Sequence, residues 1–189
     1  MIYFTSDLHL NHNKDFIYKP RGFDTVWDMN RAIVENWNAI VKPDDDVFVL
    51  GDLMLGGDML TQDSLSLIKS LKGRIHIILG NHDTDNRIEL YYKDLYNAVS
   101  VSFAERLKYD GYTFFLCHFP VLCSNVDDKG LKHRTICLCG HTHTKDRFID
   151  MDKGYIYHVE LDAHDMTPVS IEEIIKDISN FRFVKFSER

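Results

Sequence analysis

The sequence predicts a single mixed α/β domain in which layered β-sheet packs between helices. Three observations carry this. At 189 residues the chain has the size of one ordinary domain, so we read 1–189 as a single unit. Its first part alternates short apolar runs with stretches of helical period. Its later part is rich in strand-like runs, and a clear helical pattern returns only near the end.

The elements follow in order. Ile2-Tyr3-Phe4-Thr5 is β-prone and runs into polar Ser6-Asp7, so a first strand is expected over 2–6. Over 24–41 the apolar residues Val26, Met29, Ile33, Trp37 and Ile40 recur at steps of three and four, the helical period, with Asp24 or Thr25 placed to cap it. Trp27 and Trp37 both read as core. After the turn Pro43-Asp44-Asp45-Asp46, the run Val47-Phe48-Val49-Leu50 is continuously apolar, the signature of a strand buried on both faces. A helix over 63–71 ends at Gly73, and the strand Ile75-His76-Ile77-Ile78-Leu79 ends at Gly80. A short helix is expected within 85–96. Strands follow around 99–101 and 104–109, then Asp110-Gly111 as a hairpin turn, then a strand over 112–117. Further strands are expected at 135–139 and 155–161. Ser170 with Glu173 forms a capping box at the start of a helix near 170–179.

Composition excludes several classes. With 44% hydrophobic and 27% charged residues the chain is globular, neither disordered nor fibrous. No apolar run reaches the roughly 18–20 residues of a membrane span. The first residues lack a basic segment followed by an apolar stretch, so no signal peptide is read and a cytoplasmic protein is expected. The balance of 22 basic and 29 acidic residues, formally −7, argues against a partner held along a phosphate backbone. A small phosphate ester stays compatible with it, because bound cations would invert the local field. Cys117, Cys123, Cys137 and Cys139 lack paired C-x2-C spacing and read as buried free thiols on strands.

Ten histidines are many for this length, and their placement is the main signal. Five strand ends run into polar clusters: Asp7-Leu8-His9, Gly51-Asp52, Gly80-Asn81-His82-Asp83, Cys117-His118 and Gly140-His141-Thr142-His143. Ligand sites in open α/β sheets lie beyond the carboxyl ends of strands, so these donors are expected to meet. Singly, most of these clusters read as turns; the ordered series after five strands is what points to a site. Mixed imidazole and carboxylate donors suit Mn, Fe, Ni or Zn. Seven ligands suffice for two ions if one carboxylate bridges them, and in such a site a bridging hydroxide is the natural nucleophile.

This series resembles the motifs of the calcineurin-like metallophosphoesterases, over residues 1–164. Arg21-Gly22-Phe23, Asn36-Trp37-Asn38 and Asp162-Ala163-His164 are similar to a small bacterial and phage branch. The resemblance implies two mixed β-sheets packed as a sandwich and flanked by helices in four layers. It also implies a dinuclear phosphoesterase using two divalent transition-metal ions. By this likeness Asp7, His9 and His143 hold one metal, Asp52 bridges, and Asn81, His118 and His141 hold the second. His82 would stand over the phosphoryl group and assist the leaving oxygen.

The chain departs from the family in places. Many relatives carry an acid three residues after the bridging Asp, where it orients the catalytic histidine; here that residue is Leu55, so His82 is either oriented otherwise, with Asp83 the candidate, or a weaker acid. The absence of an Arg soon after Gly51-Asp52, and Asp83 after Asn81-His82, argue against a protein phosphatase. His12 and Arg21 are the candidate substrate contacts, the guanidinium being suited to bind phosphate bidentately. His133 and Arg134 read as an exposed basic loop, and His76 as structural. The expected partner is a small phosphorylated substrate, a nucleotide among the candidates, with a diester favoured because no dense Arg cluster is present to hold a dianion. The alternatives are a non-catalytic scaffold on the same fold and a nuclease.

Overall fold

Residues 1–56, 61–123, 135–149 and 155–187 are described by a computed structural model of the chain. The first sheet comprises β1 (Ile2–Thr5), β2 (Asp46–Leu50), β3 (Arg74–Ile78), β4 (Ala98–Ser102) and β9 (Val169–Ser170), in the order β4-β3-β2-β1-β9. Its first four strands are parallel, and β9 runs antiparallel to β1. The second sheet has the order β5-β6-β7-β8, from β5 (Ala104–Tyr109), β6 (Tyr112–Cys117), β7 (Thr135–Cys139) and β8 (Ile156–His158). Here β5 is antiparallel to β6, across the expected hairpin, and the rest are parallel. Asp110 and Gly111 supply that hairpin with consecutive φ angles of 45° and 79°.

The continuous apolar runs are explained by burial on both faces. In β2, Val47 and Val49 face one way, into a core shared with the helices α2 (Val26–Ile40), α3 (Thr61–Lys69) and α4 (Asp85–Asp94). Phe48 and Leu50 face the other way, into a core shared with Phe114, Leu116, Ile136 and Leu138 of the second sheet. Successive side chains of a strand alternate faces, so a strand sandwiched between two cores must be apolar at every position. The last helix, α5 (Ile171–Ser187), turns Ile171, Ile174 and Ile178 into the inter-sheet core. On the far face of the second sheet Cys123 and Val121 pack on Cys137, Cys139 and Ile156.

Local chemistry sets the helix ends. The Thr25 hydroxyl accepts from Asp28 N at 3.1 Å and caps α2, and Trp37 is fully buried with its indole N–H on Lys72 O at 2.8 Å. Trp27 does not join the core: it lies off the buried stripe and is 55% exposed. Half of the capping box of α5 is present, Glu173 N donating to Ser170 Oγ at 3.2 Å, while the Glu173 carboxylate pairs with Arg147 instead. A short helix not read from the sequence, α1 (Asp15–Tyr18), follows the loop after β1. Cys137 and Cys139 are buried strand thiols as expected; Cys117 is half-buried, as is Cys123, which lies outside the strands, and none of the four is in a disulfide among the described residues. His76 is structural, bonded to Asp46 and Ser100 and stacked on Phe48. His133 and Arg134 lie outside the described residues.

Both sheets point the carboxyl ends of their parallel strands toward one edge. There an isolated parallel bridge joins Ser6, just past β1, to Glu160, just past β8. The two sheets are thus tied together at that edge.

Candidate metal centre

Beyond β1 and β2 the main-chain ladder continues: Asp7 N donates to Gly51 O, His9 N to Asp52 O and Leu10 N to Leu53 O, each at 3.0 Å. The backbone here does not stay extended. Asp7, His9 and Asp52 have φ of 55°, 48° and 56°, and His141 and His143 on the opposite loop have 75° and 50°. Left-handed conformations are rare for residues with a Cβ, and they concentrate where a site demands them. Here they turn successive side chains to the same side, which an extended strand cannot do.

The loops also approach too closely for larger residues. A Cβ at Gly140 would lie 2.2 Å from Asp7 Oδ2 and 2.0 Å from Ser6 Oγ. At Gly51, itself at φ 95°, it would lie 2.4 Å from His118 Nδ1. The glycines preceding these polar clusters are therefore dictated by how closely the loops converge.

Two groups of donors result. In the first, Asp7 Oδ1 lies 3.7 Å from His9 Nε2 and 3.5 Å from His143 Nε2, and the two imidazole nitrogens are 3.1 Å apart. In the second, Asn81 Oδ1 lies 2.9 Å from both His118 Nε2 and His141 Nδ1. Asp52 Oδ2 stands between the groups, 3.7 Å from His9 Nε2 and 3.6 Å from His118 Nε2. Asp7, Asp52 and His118 also gather closely enough to share an ion, so Asp7 belongs to both sides of the cluster. All seven residues named from the sequence as metal ligands meet here.

The donor set fits cations. Asp7 is fully buried; its Oδ2 accepts from Ser6 Oγ and His141 N, yet its Oδ1 has no hydrogen-bond partner among the described residues. A buried, unpartnered carboxylate oxygen facing two imidazoles is costly unless a positive charge completes it. Ligands held about 2.1 Å from one ion stand roughly 3.4 Å apart, the separation seen here. His118 is already oriented to bind an ion, since its Nδ1–H donates to Leu50 O at 2.8 Å and leaves Nε2 with a free lone pair.

Electrostatics agree. Burial alone would raise the Asp7 carboxyl, but the imidazoles of His9, His118 and His143 outweigh it and hold the group well below the usual carboxylate range. Burial pushes His9 down despite Asp7 and Asp52, which favours the neutral form that binds metal. His12, behind His9 with the two Nδ1 atoms 3.2 Å apart, is pushed down to about 4 by burial and by neighbouring His9 and His82.

His82 stands at the mouth of a cleft of about 580 Å³, its Nε2 3.9 Å from Asp52 Oδ2 and its ring edge-on to those of His9 and His12. The expectation that Asp83 orients His82 is corrected. Asp83 Oδ2 accepts from Gly80 N and Asp52 N, and Oδ1 accepts from Tyr91 Oη, so this carboxylate braces the ligand loops. Arg21 is placed inside rather than at the mouth, with its side chain 1% exposed and paired to Asp162. Phe16, Ile17, Pro20, Lys145 and Asp162 also line the cleft, though no sequence pattern gives any of them a role there. Glu160 is fully buried and accepts from Thr142 Oγ1 at 2.7 Å. These are tertiary contacts with no local pattern to announce them.

The comparisons with known proteins agree with this geometry. A model of the calcineurin-like phosphoesterase family matches residues 1–184. An uncharacterized protein of Methanocaldococcus jannaschii is 30% identical over 191 residues, 97% of this chain and 94% of that one. The gene 66 protein of Mycobacterium phage D29 is 31% identical over 199 residues, 94% of this chain and 96% of its own. The crystal structure of a protein of unknown function from Aquifex aeolicus shares the fold, with a TM-score of 0.71 at 24% identity, covering 93% of this chain and 98% of that one. With a match over nearly its whole length and a cluster of metal-type donors at the shared sheet edge, the chain belongs to the calcineurin-like phosphoesterases, metal-dependent hydrolases of phosphate esters.

Proposed function

We propose that this protein is a dinuclear phosphodiesterase acting on a small ester, with Asp52 bridging two divalent transition-metal ions. The observation that carries this reading is the position of Asp52 Oδ2, almost equidistant from His9 Nε2 and His118 Nε2. Asp7, His9 and His143 serve one ion, and Asn81, His118 and His141 the other. When bound, the ions supply positive charge for the phosphoryl oxygens and lower the pKa of water enough for attack on phosphorus at neutral pH.

The chain's own groups do the rest. His82, at the mouth, hydrogen-bonds a phosphoryl oxygen and gives a proton to the departing alkoxide or phenolate. Neutral His12 offers a further contact to the phosphate. Arg21, its donors engaged by Asp162 and main chain, supports the loops in this reading and does not touch substrate. A diester carries one negative charge and two organic groups. That suits a mouth with Lys145 as its cation and with Phe16, Ile17, Pro20 and Leu55 as an apolar wall.

The test is hydrolysis of bis-p-nitrophenyl phosphate and p-nitrophenyl phosphate by protein loaded with Mn2+, Co2+, Ni2+ or Zn2+. The diester is expected to turn over faster, with two ions bound per chain by metal analysis. No turnover with any of these ions defeats the reading; faster monoester cleavage defeats the diester assignment, and one ion per chain defeats the bridging role. His82→Ala is expected to lower kcat by about 10²-fold with both ions retained; loss of metal would overturn its role. A panel of nucleotides, cyclic nucleotides and dinucleotides then narrows the substrate.

A further inference from the structure

The buried pair Arg21–Asp162 is not used by the reaction described above, yet it reaches both loops that form the first donor group. Arg21 comes from the loop that follows β1 and α1. Asp162 comes from the 3-10 turn Leu161–Ala163 beyond β8. The pair is bidentate, with Nε on Asp162 Oδ1 at 3.1 Å and Nη2 on Oδ2 at 2.7 Å. The same guanidinium donates to the carbonyl oxygens of Asp7 at 2.8 Å and Leu8 at 3.4 Å. His143 completes the arrangement: its Nδ1 lies 3.3 Å from Asp162 Oδ2 and 3.3 Å from Arg21 Nη2.

Counting hydrogens decides between those two contacts. A guanidinium Nη2 carries two. One is given to Asp162 Oδ2 and the other to Asp7 O, both at shorter distances. None is left for His143, so Nδ1 cannot be the acceptor of that nitrogen. Nδ1 instead carries a hydrogen and donates it to Asp162 Oδ2. A neutral imidazole protonated at Nδ1 has its lone pair on Nε2, the atom facing Asp7 Oδ1 and His9 Nε2.

We propose that Asp162 and Arg21 are a positioning pair, which fixes His143 as the Nδ1–H tautomer and clamps its loop to that of Asp7, so that the first donor group stands ready for its ion. This rests on the metal-dependent reading above and adds to it a selective effect on one of two ions. His118 obtains the same tautomer from a main-chain carbonyl, Leu50 O, and is independent of the pair.

Asp162→Asn is the informative variant. The shape is kept, but one oxygen becomes an NH2 group that can present a hydrogen to Nδ1 and reverse the tautomer. Calorimetric titration of metal-free protein with Mn2+ is expected to show one of two sites weakened 10–100-fold, roughly the cost of losing an outer partner of a metal-binding histidine, and the other unchanged. Asp162→Glu is expected to recover part of the loss. Two sites of unaltered affinity in Asp162→Asn would overturn the proposal, as would equal weakening of both. Nitrogen-15 imidazole spectra of the metal-free wild type give a second test that needs no variant to fold. Recorded at alkaline pH, because the burial that would lower this imidazole is outweighed by Asp162 and Asp7, which raise it, His143 is expected as the Nδ1–H form, and an Nε2–H form refutes the assignment. A wild type that binds no Mn2+ but shows the Nδ1–H form would sink the metal reading and leave the tautomer assignment standing.

Discussion

Asp7, His9 and Asp52, delivered by the first sheet, and His118, beyond β6, are each no more than 2% exposed, whereas beyond β7 His141 is exposed and the side chain of His143 is 31% exposed. The two halves of the site are held by different means. The deep half rests first on main chain, through the ladder that runs from Asp7–Gly51 to Leu10–Leu53 after the strands have formally ended, with Asp83 and Arg21 as added side-chain braces. The rim half is fixed by side chains: Glu160 accepts from Thr142 Oγ1 and Thr144 N, and Asp162 from His143. Main-chain ladders are inherited from the sheet and are indifferent to most substitutions. Side-chain braces depend on single residues, so the rim is the half that sequence change can retune.

The largest expected effect comes from breaking the deep half. Asp52→Asn keeps the side-chain oxygen that accepts His82 N, so the fold should persist. Removing the charge between the donor groups should cost hydrolysis on the order of 10³-fold, read with the diester substrate at saturating Mn2+. Activity within tenfold of wild type would show that the deep carboxylate does not bridge.

A pH experiment sharpens the contrast from behind the rim. His164 is buried, with Nε2 donating to His158 O at 2.9 Å and Nδ1 without a partner among the described residues. Burial, aided by Arg147 and opposed by the hydrogen bond to His158 and by Asp177 and Asp165, pushes it down to about 4. Above about pH 6.5 the imidazole is neutral in folded and unfolded chains alike. As pH falls from there to about 4 only the unfolded chain takes the proton, so stability declines, and below about 4 the loss is complete. The decline attributable to this residue is at most about 3 kcal/mol. Urea unfolding of wild type and His164→Gln at pH 7.5, 5.5 and about 4 should show a shallower decline in the variant; parallel declines would count against the assignment.

The smallest effect is expected from Thr142→Val, which takes one donor from the buried Glu160 carboxylate. Its Oε2 already has no hydrogen-bond partner among the described residues. Stability should fall by about 1–2 kcal/mol, with Mn2+ binding weakened less than in Asp162→Asn, because Thr142 holds the loop without touching an imidazole that binds the ion. A loss of metal affinity larger than that of Asp162→Asn would reverse the ranking of the two braces.

Much of the deep half was legible in the sequence. Asp-x-His, Gly-Asp and Gly-Asn-His each follow an apolar run, and the sheet edge that collects them is a consequence of parallel strands. The cap at Thr25 and the Asp110-Gly111 hairpin were legible for the same reason, since their chemistry is local. The rim braces were not. Arg21 and Asp162 are far apart in the chain, and nothing in the spacing of either residue indicates that they pair. Arg21 therefore read as a phosphate contact, and Asp83, adjacent to His82, read as its partner although its oxygens turn toward Gly80, Asp52 and Tyr91. Trp27 misled in the opposite sense, because aromatic character within a helix does not tell which face it occupies.

The stitch between Ser6 and Glu160 has a consequence for assembly. Neither donor group is complete on one sheet: the first needs His143 from beyond β7, and the second needs His118 and His141 as well as Asn81. A chain whose sheets have each formed but have not yet docked offers only fragments of either nest. If the donor groups hold ions, tight ion capture would require that closure, and a chelator competing for Mn2+ during refolding would report the final joining of the two halves.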